Sequence, residues 1–190
     1  MIEEYDVPPA LGTVIEADRG SLPFALIHGE ALVATASWAL GEAGVTPVDF
    51  TTGWTGLQAS EEPFVLHDSL CPMMPAEFIA RCVVTAVERG AVVIGVRPVT
   101  DTVKLLAESS DGVASVGETV DRSRLLAVAS PIVLPAPVVG ALDDLPTTDF
   151  TELATLLAAR FPVVTLEAPA AARRVGSLDD VRLLEALTRP

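Results

Sequence analysis

Between residues 75 and 96 the hydrophobic period changes once, and that change restricts the fold more than any other feature of the sequence. From Pro75 to Glu88, the residues Phe78, Ile79, Cys82, Val83, Ala86 and Val87 recur at helical spacing, and Pro75 suits a first turn. Gly90 follows as a stop, and Ala91–Val96 is then a short unbroken apolar run. Such a run is what a strand buried on both faces requires. A helix that feeds a doubly buried strand is the repeating unit of a parallel α/β sheet.

The same alternation extends in both directions. Gly12–Ala17 predicts a first strand, Asp18–Ser21 a turn, and the later part of Pro23–Ala43 a helix. Leu32, Ala36, Ala39, Leu40 and Ala43 share one side of that helix, and Gly44 is its stop. Phe64–Leu66 predicts a buried strand running into His67-Asp68. Thr100–Leu106 and Val113–Val120 predict two extended arms around a tip at Ser109–Gly112. Leu125–Ala129 predicts a strand, Phe150–Arg160 a helix with Leu153, Leu156 and Leu157 on one face, and Val163–Leu166 a strand. Ser177, with Asp180 three residues on, opens a last helix carrying Val181, Leu183, Leu184 and Leu187. Thr46–Glu62 is read as a loop or short strand, and Pro131–Pro146 as a Pro/Ala-rich connector. The first ten residues are an extended entry without an assigned role. These elements predict one α/β domain over residues 1–190, with a largely parallel sheet and a hairpin arm at about 101–122.

Composition narrows the functional classes. Half the residues are hydrophobic, so a sizeable core is available, and no apolar run approaches the ~20 residues of a membrane span. Net charge is −14, from 12 basic and 26 acidic residues. That balance argues against nucleic acid as a partner and against anionic membrane surfaces. Lys104 is the one lysine of the chain. No leader-like segment opens the sequence, and Cys71 and Cys82 form no disulfide framework, so a reducing cytoplasm is expected.

Ligands of parallel α/β sheets sit off the carboxyl ends of the strands. His67-Asp68 lies at such an end. A carboxylate there can hold Mg²⁺ against substrate phosphates, or simply cap a turn; the two readings weigh evenly. His67 reads as a hydrogen-bonded structural histidine in preference to a ligand or base. At the base of the arm, hydroxyls with Arg122 can grip a phosphate, although a local Asp121–Arg122 pair is the plainer reading. Arg173-Arg174, the one adjacent basic pair, reads as solvated surface in preference to an anion site near the last helix's positive end. No GxGxxG, GxxxxGK[ST], GxSxG or HExxH pattern occurs.

Three strings matter together: His67-Asp68-Ser69-Leu70-Cys71-Pro72, Pro98-Val99-Thr100-Asp101-Thr102-Val103-Lys104, and Thr119-Val120-Asp121-Arg122-Ser123-Arg124-Leu125. In this order they resemble the HDAARP, PVxDTxK and TVDRxxL strings of the 2-C-methyl-D-erythritol 4-phosphate cytidylyltransferases of isoprenoid biosynthesis. The likeness is strongest over Phe64–Pro131 and extends weakly to Leu22–Val45 and Arg174–Leu187. It implies a three-layer, Rossmann-like nucleotidyltransferase fold whose β-arm interlocks a homodimer. It implies that Asp68 contacts metal and substrate, and that Thr102 and Arg122 contact methylerythritol phosphate. Arg174 stands at a substrate-binding lysine, and Arg19 stands in for the arginine of the family's CTP loop.

The departures from the family pattern bear on activity. The glycine-rich loop over the CTP phosphates is reduced to Glu16–Ser21, and Phe24 replaces a lysine. A phenylalanine cannot neutralise the charge of departing pyrophosphate, and loss of one well-placed cation costs on the order of 10²–10³ in rate. Cys71 replaces the arginine of HDAARP, and Ser130-Pro131-Ile132 replaces TPQ. The expectation is a catalytically degenerate, dimeric binding or regulatory protein, with no catalytic residue assigned. It keeps a site for a small phosphorylated ligand and leaves room for a hetero-partner. The alternative is an active enzyme transferring CMP from CTP, with Mg²⁺; without activity no cofactor is expected. Reuse of the fold for unrelated binding ranks third.

Overall fold

The computed structural model describes residues 7–49, 52–107 and 115–189. The predicted hairpin tip Ser109–Gly112 and the entry up to residue 6 lie outside them. In chain order the elements are β1 (Leu11–Ile15), β2 (Leu26–Ile27), β3 (Glu30–Ala31), α1 (Leu32–Glu42), β4 (Thr46–Pro47) and α2 (Trp54–Ser60). Next come β5 (Phe64–Asp68), α3 (Ala76–Arg89), β6 (Val92–Pro98), β7 (Val103–Ala107) and β8 (Ser115–Val120). The chain continues through β9 (Leu126–Leu134), α4 (Ala136–Ala141), α5 (Phe150–Ala158), β10 (Val163–Glu167) and α6 (Leu178–Leu187).

The central sheet has six strands in the order β10-β6-β9-β5-β1-β4. All neighbours are parallel except β9, which runs antiparallel between β5 and β6. Because strand side chains alternate between faces, Val65, Val93 and Val133 join one core with α1 and α3. Leu66, Ile94 and Ile132 join a second core with α2, α4 and α5. The result is the expected three-layer α/β domain. A third cluster, with Ile27, Leu32, Leu70, Val181 and Leu184, docks α6 and the β2–β3 hairpin.

The helix that anchors the sequence reading forms as its pattern dictates. Phe78, Ile79, Cys82 and Val83 are buried, each such apolar side chain contributing roughly 1.5–3 kcal/mol. Gly90 closes it in the left-handed region at φ 58°. Val87, like Leu156, Leu183 and Leu187 on other helices, lies outside its buried stripe.

Two segments depart from expectation. Thr46–Glu62, read as loop or short strand, contains helix α2. Its periodicity is too short to see, and it is held by tertiary contacts: the Trp54 indole N–H donates to the Leu142 carbonyl at 2.7 Å, and its ring meets Phe64 edge-on. The supposed connector Pro131–Pro146 is also structured. β9 runs through Pro131 to Leu134, and α4 follows. A proline can sit in this strand because the β6–β9 ladder shifts register between Ile94 and Val96, where no N–H is needed.

The sheet order reverses at β1. The chain leaves β1 for β4 on one side and returns as β5 on the other, so the switch point lies between β1 and β5. β7 and β8 pair with each other as a separate two-stranded arm.

Candidate functional site

Ile15 and Asp68 are register partners at the carboxyl ends of β1 and β5, on the two sides of the switch point. The Ser69 N–H donates to the Ile15 carbonyl at 3.1 Å, continuing the β1–β5 ladder, and the Cys71 N–H donates to the Asp68 carbonyl at 2.9 Å, which turns the chain out of β5. Ser130, from β9, anchors the same corner: its Oγ accepts the Asp68 N–H at 3.0 Å and hydrogen-bonds His67 Nδ1. His67 is fully buried, and burial pushes its imidazole down to about 4 against the opposing pull of Asp68. It is a neutral structural histidine, as its setting in the sequence suggested. Its Nε2 has no partner among the described residues.

The Asp68 side chain is 2% exposed and accepts three hydrogen bonds. Arg19 Nε reaches Oδ1 at 3.1 Å, the Leu70 N–H reaches Oδ1 at 3.0 Å, and Arg174 Nε reaches Oδ2 at 2.9 Å. Arg19, itself buried, donates also to the carbonyls of Ala17 and Thr148, at 3.1 and 2.9 Å. Its guanidinium stands 6.0 Å from the centre of the Phe150 ring. Arg19 thereby ties the β1 exit, the β5 end and the approach to α5 together.

Arg174 differs. Its side chain is 45% exposed, and its two terminal nitrogens have no hydrogen-bond partner among the described residues. It lines a cleft of about 420 Å³ with Arg19, Asp68, Asp149, Thr151 and the start of β9. Asp149 caps α5, accepting the Thr151 and Glu152 N–H groups at 2.9 and 2.8 Å. The bond from Glu152 is the main reason its carboxyl lies below the usual range.

The structure thus brings Arg19, Asp68 and Arg174 into one cluster. Thr102 and Arg122 stand at the base of the arm and do not line this cleft. The local Asp121–Arg122 pair gives way to two other contacts. Asp121 accepts from the Ser123 hydroxyl and N–H, while Arg122 donates to the Thr100 carbonyl. Phe24 is exposed in a single 3-10 turn, Leu22–Phe24. Sequence reasoning missed Asp149 and Thr151. Their signal was present as Asp149 followed three residues on by Glu152, the acidic counterpart of a helix-start box.

The residues do not suit Mg²⁺ as arranged. Asp68 has both oxygens committed, two of its three donors being cations, and Asp149 is committed to α5.

A family model, 2-C-methyl-D-erythritol 4-phosphate cytidylyltransferase, matches residues 42–157. The fold is similar to the solved 2-C-methyl-D-erythritol 4-phosphate cytidylyltransferase from Thermus thermophilus, at 20% identity and a TM-score of 0.65, covering 94% of this chain and 98% of that one. It is similar also to 4-diphosphocytidyl-2C-methyl-D-erythritol synthase from Anaerococcus prevotii, at 16% identity and a TM-score of 0.68, covering 95% and 97%. A further solved 4-diphosphocytidyl-2C-methyl-D-erythritol synthase matches at 19% identity and a TM-score of 0.69, covering 96% and 99%. A family-model match over more than half its length makes this chain a member of the 2-C-methyl-D-erythritol 4-phosphate cytidylyltransferase family.

Proposed function

We propose that this family member no longer transfers CMP and acts as a dimeric binding or regulatory protein for a small phosphorylated ligand. The observation that carries the reading is the pairing of Arg19 with Asp68. In the family pattern one belongs to the donor-phosphate loop and the other to the metal-and-substrate end. Here each neutralises the other, so neither is left for a metal–triphosphate complex. Phe24 adds a second loss, since no cation stands at its position to stabilise departing pyrophosphate. Arg174 keeps a cation directed at the acceptor cleft.

The dimer is assigned to the arm. A lone two-stranded hairpin is marginal in water, and β7–β8 exposes Leu105, Leu106 and Val116. A second copy, or a related subunit, would cover them. The reading takes the protein as cytoplasmic, in keeping with two buried, unpaired cysteines. No helix among the described residues is long and apolar enough to cross a membrane.

The test is calorimetric titration with CTP and Mg²⁺, alongside an assay for pyrophosphate release with methylerythritol phosphate. No CTP binding and no release is the expected result. CTP-dependent release would overturn the reading in favour of an active, Mg²⁺-dependent cytidylyltransferase.

A further inference from the structure

We propose that the proline-lined groove at the amino ends of β1 and β5 is a binding site for a small amine with an aromatic or aliphatic body, held through Glu61 and Glu62. It lies at the opposite end of the sheet from the cleft. β5 carries the chain about 17 Å from Pro63 to Asp68, at roughly 3.3 Å per residue. The groove and the cleft share no lining residue.

Each proline has a local reason to be where it is. Pro8 and Pro9 precede β1, Pro63 precedes β5, and Pro135 and Pro137 open α4. The fold then brings all of them around one groove of about 380 Å³, with Val87 and Ala136 adding to its apolar lining. Val87 is 46% exposed and lies outside the buried stripe of α3, so the groove keeps an aliphatic wall open to solvent. A proline ring loses no rotamer freedom when it is covered, and its backbone φ is already fixed. The lining is therefore preformed, and binding costs little ordering.

The charged part of the lining is acidic. Glu61 and Glu62 both line the groove, and neither carboxylate has a hydrogen bond or ion pair among the described residues. Arg89, beside Gly90 in the chain, pairs with neither. Glu61 also closes α2 at φ 55°, in the left-handed region that favours glycine. A carboxylate is kept where glycine would be less strained. An apolar wall with two unpaired carboxylates complements one class of ligand, a protonated amine attached to an apolar body.

Size selects among occupants of that chemistry. A groove of about 380 Å³ falls within the range of small-molecule pockets, roughly 300–1,000 Å³. A stable protein interface takes about 800 Å² and roughly 20–30 residues a side, more than this groove offers. A second copy would bring the same acidic surface, at net charge −14. The residues before Val7 carry Glu3, Glu4 and Asp6 and no Lys, Arg or His, so they too would set like charge against Glu61 and Glu62.

The test follows backbone amide shifts of the full-length protein by NMR during titration with phenethylamine, at about 0.15 M salt to screen diffuse attraction to an acidic chain. Saturable shifts at Glu61, Glu62, Gly90 and Ala136, with a dissociation constant in the millimolar range or below, are the expected result. Phenylacetate, similar in size and opposite in charge, should bind at least about tenfold more weakly. Val87→Lys, which sets an ammonium in the groove, should weaken phenethylamine about tenfold, and Glu62→Gln about threefold. Glu118→Gln, on the arm, should leave the affinity within about twofold. Glu61→Gly should weaken binding while raising the thermal midpoint, since it removes the carboxylate and relieves the left-handed backbone. No saturation, equal affinity for the two probes, or shifts centred on the Asp68 cleft would overturn the proposal. So would Glu62→Gln and Val87→Lys proteins of native spectrum that bind unchanged; should Val87→Lys not fold, Glu62→Gln and the two probes decide. A fall in mass by light scattering in Val87→Lys would assign the groove to a second copy, and a marked rise in affinity in Tyr5→Ala would assign it to the chain's own first residues; either result overturns the amine site.

Discussion

Arg174 Nε and Asp68 Oδ2 meet at 2.9 Å across 106 residues of chain, and through this bond the segment leading into α6 is laid over the end of β5. Arg19 meets the other oxygen of the same carboxylate at 3.1 Å. The two pairs look alike and should not be worth the same. Arg19 is 6% exposed and Arg174 45%. Removing a buried partner leaves charge without solvent, at about 3–5 kcal/mol, whereas a half-exposed pair contributes about 1 kcal/mol or less. Urea unfolding should therefore show Arg19→Met losing several times more stability than Arg174→Met. Equal losses would mean that solvent reaches both pairs alike.

Burial of His67 predicts a pH dependence with a definite sign. Its folded-state value lies near 4, below the ordinary 6.5 that it regains on unfolding. Between these values the unfolded chain binds the extra proton. The stability held by the neutral ring is complete above pH 6.5 and is lost as pH falls toward 4, by about 3 kcal/mol in all. Asp149 and Asp180, whose carboxyls are also held low, shed their contributions only as pH falls below the ordinary aspartate value of 3.8. Denaturation midpoints measured from pH 7.5 to 4.5 should decline in the native sequence and lose this slope in His67→Gln. A slope that persists in the variant would remove His67 as its cause.

Much of this architecture was legible before the structure. The stripe on α3 and the run that becomes β6 each carry a pattern long enough to read. The Ser177–Asp180 cap of α6 was read from two residues, and the structure has the Ser177 Oγ accepting the Asp180 N–H at 3.1 Å. Helix α2 was not legible, because seven residues span too few turns to show a period, and Trp54 finds its partners some ninety residues away. The site was legible in part. A motif string singled out Asp68, and the weaker family likeness outside the strings singled out Arg19 and Arg174, yet nothing local says that two arginines converge on one carboxylate. That fact belongs to the crossing of β1, β5 and the α6 approach. That β5 pairs with β9 only over Phe64–Leu66, leaving Leu126–Ala129 without a strand on that side, was equally invisible, since it depends on where β5 stops rather than on the composition of β9.

Gly95 is where the site depends on close backbone approach. A Cβ built there would lie 2.3 Å from the Ser130 carbonyl oxygen, an atom of main chain that cannot rotate aside. Gly95→Ala must push β9 away, and with it the Ser130 hydroxyl that holds Asp68 and His67. The expected cost is about 1–3 kcal/mol, accompanied by weaker phosphate binding. Gly41 on α1 has open space around it, so Gly41→Ala should add about 0.5–1 kcal/mol through helix propensity alone. Thermal unfolding of the two variants tests the contrast, and a neutral Gly95→Ala would show that β9 can move freely at this corner.

The arm supplies the last prediction. Leu106 and Val116 are directly opposed on β7 and β8, 80% and 74% exposed in the isolated protomer. On a monomer such positions tolerate charge, with changes within about 0.5 kcal/mol. In an arm-mediated dimer the same two side chains would be buried against the second copy, and a desolvated arginine there would cost several kcal/mol. Leu106→Arg should thus leave the unfolding midpoint of the domain nearly unchanged while halving the mass seen by light scattering, from about twice 19.8 kDa to that of one chain. Excising residues 106–116 should have the same effect. A native protein that runs as one chain, or a Leu106→Arg variant that remains a dimer, would take the arm out of the interface and leave its exposed leucines to a different partner.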